Sequence, residues 1–255
     1  LEKPMRKFLM TVALAALSAA GAVAAAEIKV LTAGAFKPVV VAEVAAFERQ
    51  TGHRVVVEND TAGALLRRIR AGEAFDLAVL TETGAQELAG TGLVDAAATS
   101  PVAKVGIGVA VKQGAPLPDI RTPEAFQQAL LAARSVAMID PAAGGSSGIY
   151  LARLFEKMGI AAQVRAKAVL VPGGLTAARL VSGEADLAVQ QMSELVVVPG
   201  AVLVGPLPAA IQNFTIYSAV ISARTADRAA VRQFLAVLQG APVRAGLAAR
   251  GIEAP

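Results

Sequence analysis

The sequence predicts a two-lobed α/β protein in which each lobe is a mostly parallel sheet flanked by helices. From Glu27 onward, short apolar strands alternate with amphipathic helices, the order that builds a parallel sheet covered on both faces. The 255 residues are enough for two lobes of about 100 residues each. Two long apolar segments, Val105–Lys112 and Phe214–Ser222, flank the second run of alternation, as expected of two crossover hinge strands.

The composition excludes several classes of protein. Hydrophobic residues make up 55% of the chain and charged residues 17%, whereas a disordered chain needs low hydrophobicity and high net charge. Cysteine is absent from the sequence, which excludes a disulfide framework, a thiolate metal site and a cysteine nucleophile. The sequence therefore predicts a folded protein with no cofactor and no metal.

The N-terminal segment has the pattern of a secretory signal. A basic stretch, Met5 to Lys7, precedes the apolar run Phe8 to Leu17, which is too short to span a bilayer comfortably. Small residues at Ala24 to Ala26 fit a cleavage site. A membrane anchor is the less favoured alternative, because no stop-transfer charges follow. Residues 1–26 are predicted to be a cloning remnant, Leu1 to Pro4, plus a cleavable signal peptide, and the protein is predicted to be periplasmic.

The charge distribution argues against nucleic acid as a partner. The formal net charge of +4 falls to +2 once residues 1–26 are removed, because three basic residues and one acidic residue lie there. The remaining lysines and arginines are scattered among acidic residues without interleaved aromatic side chains. We expect a monomer that binds no nucleic acid.

The first lobe is predicted to comprise residues 27–108 and 216–255. Helix 36–50 carries Val40, Val44 and Phe47 on one face, which indicates a buried stripe. The predicted strands of this lobe are 28–32, 54–58 and 76–80, its helices are 36–50, 62–71, 82–89 and 226–239, and residues 90–101 are predicted to be rich in turns.

The second lobe is predicted to comprise residues 109–215. Helix 148–158 places Leu151, Leu154 and Phe155 on one face, toward a second core. The predicted helices of this lobe are 123–133, 148–158 and 175–182, and its strands are 135–139, 165–171 and 186–190.

Small residues recur where a strand ends and a helix starts. Glycine or alanine there lets a ligand approach the backbone, and the unpaired N–H groups at the positive end of a helix attract anions. Two such junctions from each lobe could face each other across a cleft. The four junctions are Ala33-Gly34-Ala35, Asn59 to Gly63, Asp140 to Gly148, and Pro172-Gly173-Gly174.

Polar side chains at or near these junctions are candidate ligand contacts, each with a structural alternative. The hydroxyls of Thr61, Ser146 and Ser147 could bind an anion or cap a helix. Lys37 could assist an anion or be a solvated charge, and the Gln190 amide could face the cleft or the solvent. The predicted binding residues are Ala33, Gly34, Ala35, Lys37, Thr61, Ser146, Ser147, Gly173, Gly174 and Gln190.

Two catalytic motifs are matched only in part. Gly144-x-Ser146-x-Gly148 fits the nucleophile elbow of hydrolases, but the loop before it is too long and the single histidine, His53, comes earlier in the chain. His53 is predicted to be a surface turn residue. No Gly-Lys-Ser or Gly-Lys-Thr follows the glycines, so the phosphate-loop pattern also fails.

With these junctions in view, the chain from Ile28 to Ile252 resembles the type II periplasmic substrate-binding proteins of ABC transporters, in the branch around the molybdate-binding proteins. The resemblance implies two α/β lobes that close on a small anion held by hydroxyls and backbone N–H groups, and delivery of that anion to a membrane permease. The segments that carry it are LTAGAFKPVV, TAGALLRRIRAGEAFDLAVLT, DPAAGGSSGIY, LVPGG and GEADLAVQQMSE.

An enzyme is the alternative. Ala33 to Ala35 stand where molybdate binders carry a serine and Gln190 where they carry a tyrosine, and the segments are closer to a subfamily that resembles secreted aconitate isomerases. A proton shift needs a base, and the carboxylates nearest in sequence to the predicted cleft are Glu58, Asp60 and Glu194. The junctions supply many neutral donors and few titratable groups, which favours binding over catalysis.

Overall fold

The computed structural model describes residues 25–255, so the predicted leader lies outside the described residues apart from its last two. Within this part of the chain, no helix has the length and apolarity needed to cross a membrane.

Strands and helices alternate as the hydrophobic pattern predicts. The strands are β1 Glu27–Ala33, β2 Arg54–Asp60, β3 Leu77–Thr81, β4 Ser100–Lys112, β5 Val136–Ile139, β6 Ala168–Val171, β7 Leu187–Gln191, β8 Ala201–Pro206 and β9 Phe214–Ile221. The helices are α1 Lys37–Thr51, α2 Ala62–Arg70, α3 Glu82–Ala89, α4 Pro123–Ala132, α5 Ser146–Lys157, α6 Ala161–Arg165, α7 Ala178–Val181, α8 Met192–Leu195, α9 Arg228–Leu238 and α10 Ala241–Gly246.

The strands form one curled sheet in the order β2-β1-β3-β9-β4-β7-β5-β6, with β8 also paired to β4. The pairs of β1 with β2 and β3, and of β5 with β6 and β7, are parallel, whereas the pairs of β4 and β9 are antiparallel. β4 pairs with β9 up to Gly106 and with β7 from Ile107, so it joins a first lobe, around β1, to a second lobe, around β5. β9 pairs with β3 and β4, and the chain returns to the first lobe through residues 207–213.

Each lobe has apolar side chains buried on both faces of its sheet. In the first lobe, Phe47 on α1 and Phe234 on α9 are buried with ring centroids 4.8 Å apart. In the second lobe, Phe126 on α4 and Phe155 on α5 lie in one cluster, and small residues of β5 and β7 form another with Leu180. Helices therefore cover the sheet of each lobe, which confirms the predicted fold class.

Several element boundaries differ from the prediction. β4 begins at Ser100 rather than Val105, because Ser100 to Lys104 pair with β9, and β8 was not predicted. The predicted strand 165–171 is wrong in its first part: Arg165 ends a helix that begins at Ala161, and the strand starts only at Ala168. The predicted helix 175–182 is reduced to residues 178–181, since Thr176 in the preceding turn donates from its N–H and its hydroxyl to Gln190 Oε1.

His53 is buried, so its prediction as a surface residue was wrong. It follows Gly52, whose φ of 75° lets it end α1 in the left-handed conformation. The backbone N–H of Ala26 donates to His53 Nδ1 at 3.0 Å, and the imidazole stacks at 6.0 Å from the Phe47 ring. His53 thus holds the start of β1 against the core rather than facing solvent.

Candidate functional site

A pocket lies between the two lobes, where β1, β2, β5 and β7 end. Ligands of open α/β sheets bind at this position, beyond the carboxyl ends of the strands. Most of the lining residues are small or neutral. They are Ala33, Gly34, Ala35, Asn59, Asp60, Thr61, Ala62, Ile139, Gly145, Ser146, Ser147, Gly174, Gln190, Glu194 and Tyr217.

The first-lobe wall begins at the end of β1. Residues Gly34–Phe36 form a 3₁₀ turn that leads directly into α1, with Ala33 in the extended conformation before it. No described residue accepts a hydrogen bond from the N–H groups of Gly34 or Ala35. The positive end of α1 and these unpaired donors therefore border the pocket, at the place where the sequence predicted an anion site.

The opposite wall is the N-terminus of α5, which packs tightly against β5. Gly145 occupies the N-cap position and no side chain caps this helix, so the alternative that a serine caps it is wrong. Among residues 25–255, nothing accepts from the N–H groups of Ser146 or Ser147, and the Ser147 hydroxyl has no hydrogen-bond partner. Ser147 is buried and borders the pocket, so its hydroxyl is available to a ligand.

Ser146 belongs to a buried hydrogen-bond network instead. Its Oγ lies 3.1 Å from the hydroxyl of Tyr217 on β9. The side-chain nitrogen of Gln191 donates to the carbonyls of Val105 and Gly106. The side-chain oxygen of Gln191 accepts from the hydroxyls of Ser146 and Thr215. This network ties the start of α5 to the point at which β4 changes partner, so it couples the pocket wall to the crossover.

Thr61 joins the lobes rather than presenting a free hydroxyl. Its Oγ1 accepts from Ala64 N–H at 3.1 Å, which caps α2, and donates to the Ala143 carbonyl of the second lobe at 2.6 Å. Beside it, Gly63 N–H donates to the Gly144 carbonyl at 3.0 Å. Thr61 lines the pocket as predicted, but its hydroxyl and one helix donor are already used in this contact between lobes.

Gln190 shapes the wall of the pocket from within the second lobe. Its Oε1 accepts from both the N–H and the hydroxyl of Thr176 at 2.8 Å, and its Nε2 donates to the Gly174 carbonyl at 2.8 Å. The alternative that Gln190 faces solvent is wrong, because it is fully buried. Gly174 lines the pocket with it, whereas Gly173 lies beside Asp60 outside the lining.

Lys37 does not line this pocket. It is exposed on the first turn of α1 and borders a neighbouring apolar groove with Val41, Leu175 and Val197. The pocket lining contains no lysine or arginine among the described residues. Any anion held here would therefore be held by dipoles and neutral donors rather than by a cation.

Two carboxyl groups, Asp60 and Glu194, do line the pocket, and Glu194 is the unusual one. Burial raises its pKa to about 8, and a side-chain hydrogen bond with Gln190 opposes that rise only in part. Burial, and then the charge of Glu194, raise the pKa of Tyr217 as well. Glu58 is different: hydrogen bonds from Lys29 and then Arg68 lower its pKa, so it remains a structural ion-pair partner.

The sequence did not single out Tyr217, which reaches the pocket from the first lobe. It lies in the long apolar strand β9 and is buried, so on the sequence it is one more core aromatic residue. The polar residue two positions before it, Thr215, shares a face of the strand with Tyr217 and was a signal that this strand passes a polar site.

A two-lobed sheet with a pocket of unpaired N–H groups between its halves defines the type II periplasmic binding protein fold. The chain belongs to the bacterial extracellular solute-binding protein family, whose model matches residues 28–253. This membership and the fold confirm the predicted class of protein.

Solved structures of other proteins share this fold. The periplasmic molybdate-binding protein of Azotobacter vinelandii aligns with a TM-score of 0.75 and 22% identity, over 89% of this chain and 99% of that one. The sulfate-binding protein of Mycobacterium tuberculosis aligns with a TM-score of 0.70 and 16% identity, over 90% of this chain and 87% of that one.

One curated relative is more similar in sequence. An aconitate isomerase from a Pseudomonas species is 35% identical over 199 residues, which cover 76% of this chain and 74% of the relative.

Proposed function

We propose that this solute-binding protein captures a small anion, an oxyanion or a small carboxylate, in the pocket between its lobes and delivers it to the permease of an ABC transporter. One observation carries the proposal: unpaired N–H groups at the starts of two helices, one from each lobe, border the same pocket. Helix N-termini of this kind bind anions through backbone donors and the helix dipole.

The contents of the pocket are consistent with reversible capture. Neutral donors such as the Ser147 hydroxyl supply hydrogen bonds without the strong attraction of a cation. Glu194 would repel an anion if it were ionised, but its pKa of about 8 keeps it mostly neutral near pH 7. The solute-binding proteins for molybdate and sulfate that share this fold support an oxyanion as the ligand.

Location and assembly follow from the same proposal. A protein that serves a permease works outside the cytoplasm, which agrees with the signal peptide predicted in residues 1–26. We propose that the protein acts as a monomer. Its lobes, bounded near residues 108 and 216, close on the ligand by bending where the chain passes between the lobes near these two residues.

A thermal-shift screen tests the proposal. Molybdate, tungstate, sulfate, phosphate and a series of di- and tricarboxylates are added to the purified protein. The cognate anion at about 100 times its dissociation constant is expected to raise the free energy of unfolding by roughly 2.7 kcal/mol. Chloride at matched ionic strength is the control. A screen in which every anion behaves like chloride would contradict the proposal.

Isomerisation of an unsaturated tricarboxylate is the second candidate function, and Glu194 is the observation that favours it. The sequence offered few titratable groups near the cleft, yet the structure places this carboxyl on the pocket wall with a pKa close to neutral. Binding remains the better supported function, because three carboxylates and a developing negative charge call for cationic groups, and within residues 25–255 the lining has none.

Incubation with cis- or trans-aconitate separates the two functions. We expect the protein to bind the acid without converting it. Chromatography of the acids over time measures any conversion. Conversion that the wild-type protein supports and Glu194→Gln abolishes would establish the enzyme instead. Buffer alone and the variant Glu156→Gln, an exposed carboxyl on α5, are the controls.

A further inference from the structure

We propose that Glu194 donates a hydrogen bond from its neutral carboxyl to the bound anion, so that this site binds its ligand only while that carboxyl carries its proton. The inference rests on the proposed function and assigns a specificity-determining role to a side chain that the sequence placed only near the cleft. The ligand class it implies is a fully ionised acid with an oxygen free to accept that proton's hydrogen bond.

The position of the carboxyl is the first step. Glu194 lies on α8 of the second lobe, lines the pocket, and is 9% exposed. It reaches across to the first lobe, where its Oε1 occupies the space that a Cβ at residue 34 would fill. Gly34 therefore admits the carboxyl to the pocket wall beside the unpaired N–H groups of Gly34 and Ala35.

The second step is the charge around the carboxyl. The titratable side chains that share a lining with it are Tyr217 from β9, Asp60 at the end of β2, and the exposed Lys37 of α1. The two lysines of β4 bond to other groups: Lys104 to Glu253, and Lys112 to the Val181 carbonyl. The strands β7 and β8 carry no titratable side chain. None of these described groups pairs with Glu194 as a cation, so burial keeps it protonated, with a pKa of about 8.

A neutral carboxyl and an anion are compatible neighbours, whereas two anions are not. A protonated Glu194 has one O–H to donate, and the bound oxyanion or carboxylate has lone pairs to accept it. Above the pKa of the free protein, binding must first add a proton to the carboxylate. Affinity is therefore full at lower pH and is lost as the pH rises through about 8.

Titration calorimetry at two pH values tests this with sulfate, molybdate and trans-aconitate, of which sulfate and molybdate keep a constant charge over the range. For a probe that binds, we expect wild-type affinity to fall about tenfold between roughly pH 6 and pH 9. Glu194→Gln keeps a neutral donor, so its affinity should stay flat and near the wild-type value at the lower pH. Gly34→Ala should weaken binding at both pH values, because its methyl group displaces the carboxyl. Glu156→Gln is the matched control and should keep the wild-type profile.

The ligand-free protein provides a second readout. Because the pKa of Glu194 in the folded protein lies above its ordinary value of 4.5, the folded state binds more protons between these values, and stability falls as the pH rises. The melting temperature of Glu194→Gln minus that of the wild type should therefore grow between about pH 5 and pH 8. A constant difference would overturn the inference.

The two proposals fail in different ways. If none of the anions in the screen binds at either pH, the proposed function is overturned and this inference falls with it. If an anion binds to the wild-type protein with an affinity that does not depend on pH, only the role of Glu194 is overturned.

Discussion

Gly63→Ala is expected to weaken anion binding roughly tenfold to a hundredfold while leaving each lobe folded. A Cβ at residue 63 would lie 2.8 Å from the Gly144 carbonyl oxygen and 2.9 Å from its Cα, and both are backbone atoms that a rotamer change cannot move. Overpacking of this kind costs about 1–3 kcal/mol, and each 1.4 kcal/mol is a factor of about ten in affinity. Because this contact joins the two lobes, the hinge motion proposed above would relieve the cost when the lobes separate.

Calorimetry with the anion that stabilises the protein in the thermal-shift screen measures the affinity of this variant. Small-angle scattering measures how far the two lobes close on that anion. Ligand should reduce the radius of gyration of the wild-type protein and reduce it less in Gly63→Ala. Alanine is a better helix former than glycine by about 1 kcal/mol, so the melting temperature of the ligand-free variant should not fall. Gly90→Ala is the control, since a Cβ there meets open space. Equal affinities for Gly63→Ala and Gly90→Ala would contradict the closed contact.

Gly148→Ala is expected to destabilise the fold itself, by about 2–3 kcal/mol. A Cβ at this position would overlap the carbonyl oxygen of Ile139, at the end of β5. Gly145 is equally close, with its Cβ position 2.5 Å from Ile139 Cγ2. The start of α5 is thus pressed onto β5, which holds Ser146 and Ser147 at the pocket, and an added methyl group must push the helix away.

Urea unfolding of the ligand-free protein checks this prediction, with the change read from the midpoint at constant slope. Ile149→Ala, one residue further along the same helix, is the matched control. Its side chain is 36% exposed, so truncation should cost less than about 1 kcal/mol. A Gly148→Ala variant as stable as Ile149→Ala would show that α5 is not packed as described.

Much of the fold could be predicted from local pattern. The stripe of Val40 and Phe47 indicated α1, and both side chains are buried in the first core. Errors occurred where tertiary contacts override local preference. Ala201–Pro206 forms β8 only because the neighbouring β4 pairs with it, and Ser100 to Lys104 extend β4 because β9 lies alongside. Strand pairing of this kind depends on residues far away in the chain.

The location of the candidate site could be predicted from the sequence, whereas the orientation and hydrogen bonding of its side chains could be predicted less well. The junctions at Ala33 to Ala35 and at Ser146 and Ser147 come together at one pocket, because parallel strands present their carboxyl ends on the same side. Lys37 was a reasonable candidate from its place in the first turn of α1, yet its side chain faces a different groove. A position in a helix turn does not say which way a long side chain runs.

The sequence alone determined the alternation of strands and helices, the two lobes, and the small residues that leave helix N–H groups at strand ends. Only the tertiary structure decided which of those groups remain free. Thr61 and Gly63 look as available as Ser147 in sequence, but their donors bond to Ala143 and Gly144, about 80 residues away. Glu194 is one acid among many until the fold buries its carboxyl away from water, with no cationic partner among residues 25–255. Desolvation and hydrogen-bond satisfaction depend on what the rest of the chain places beside a group, so local pattern does not contain them.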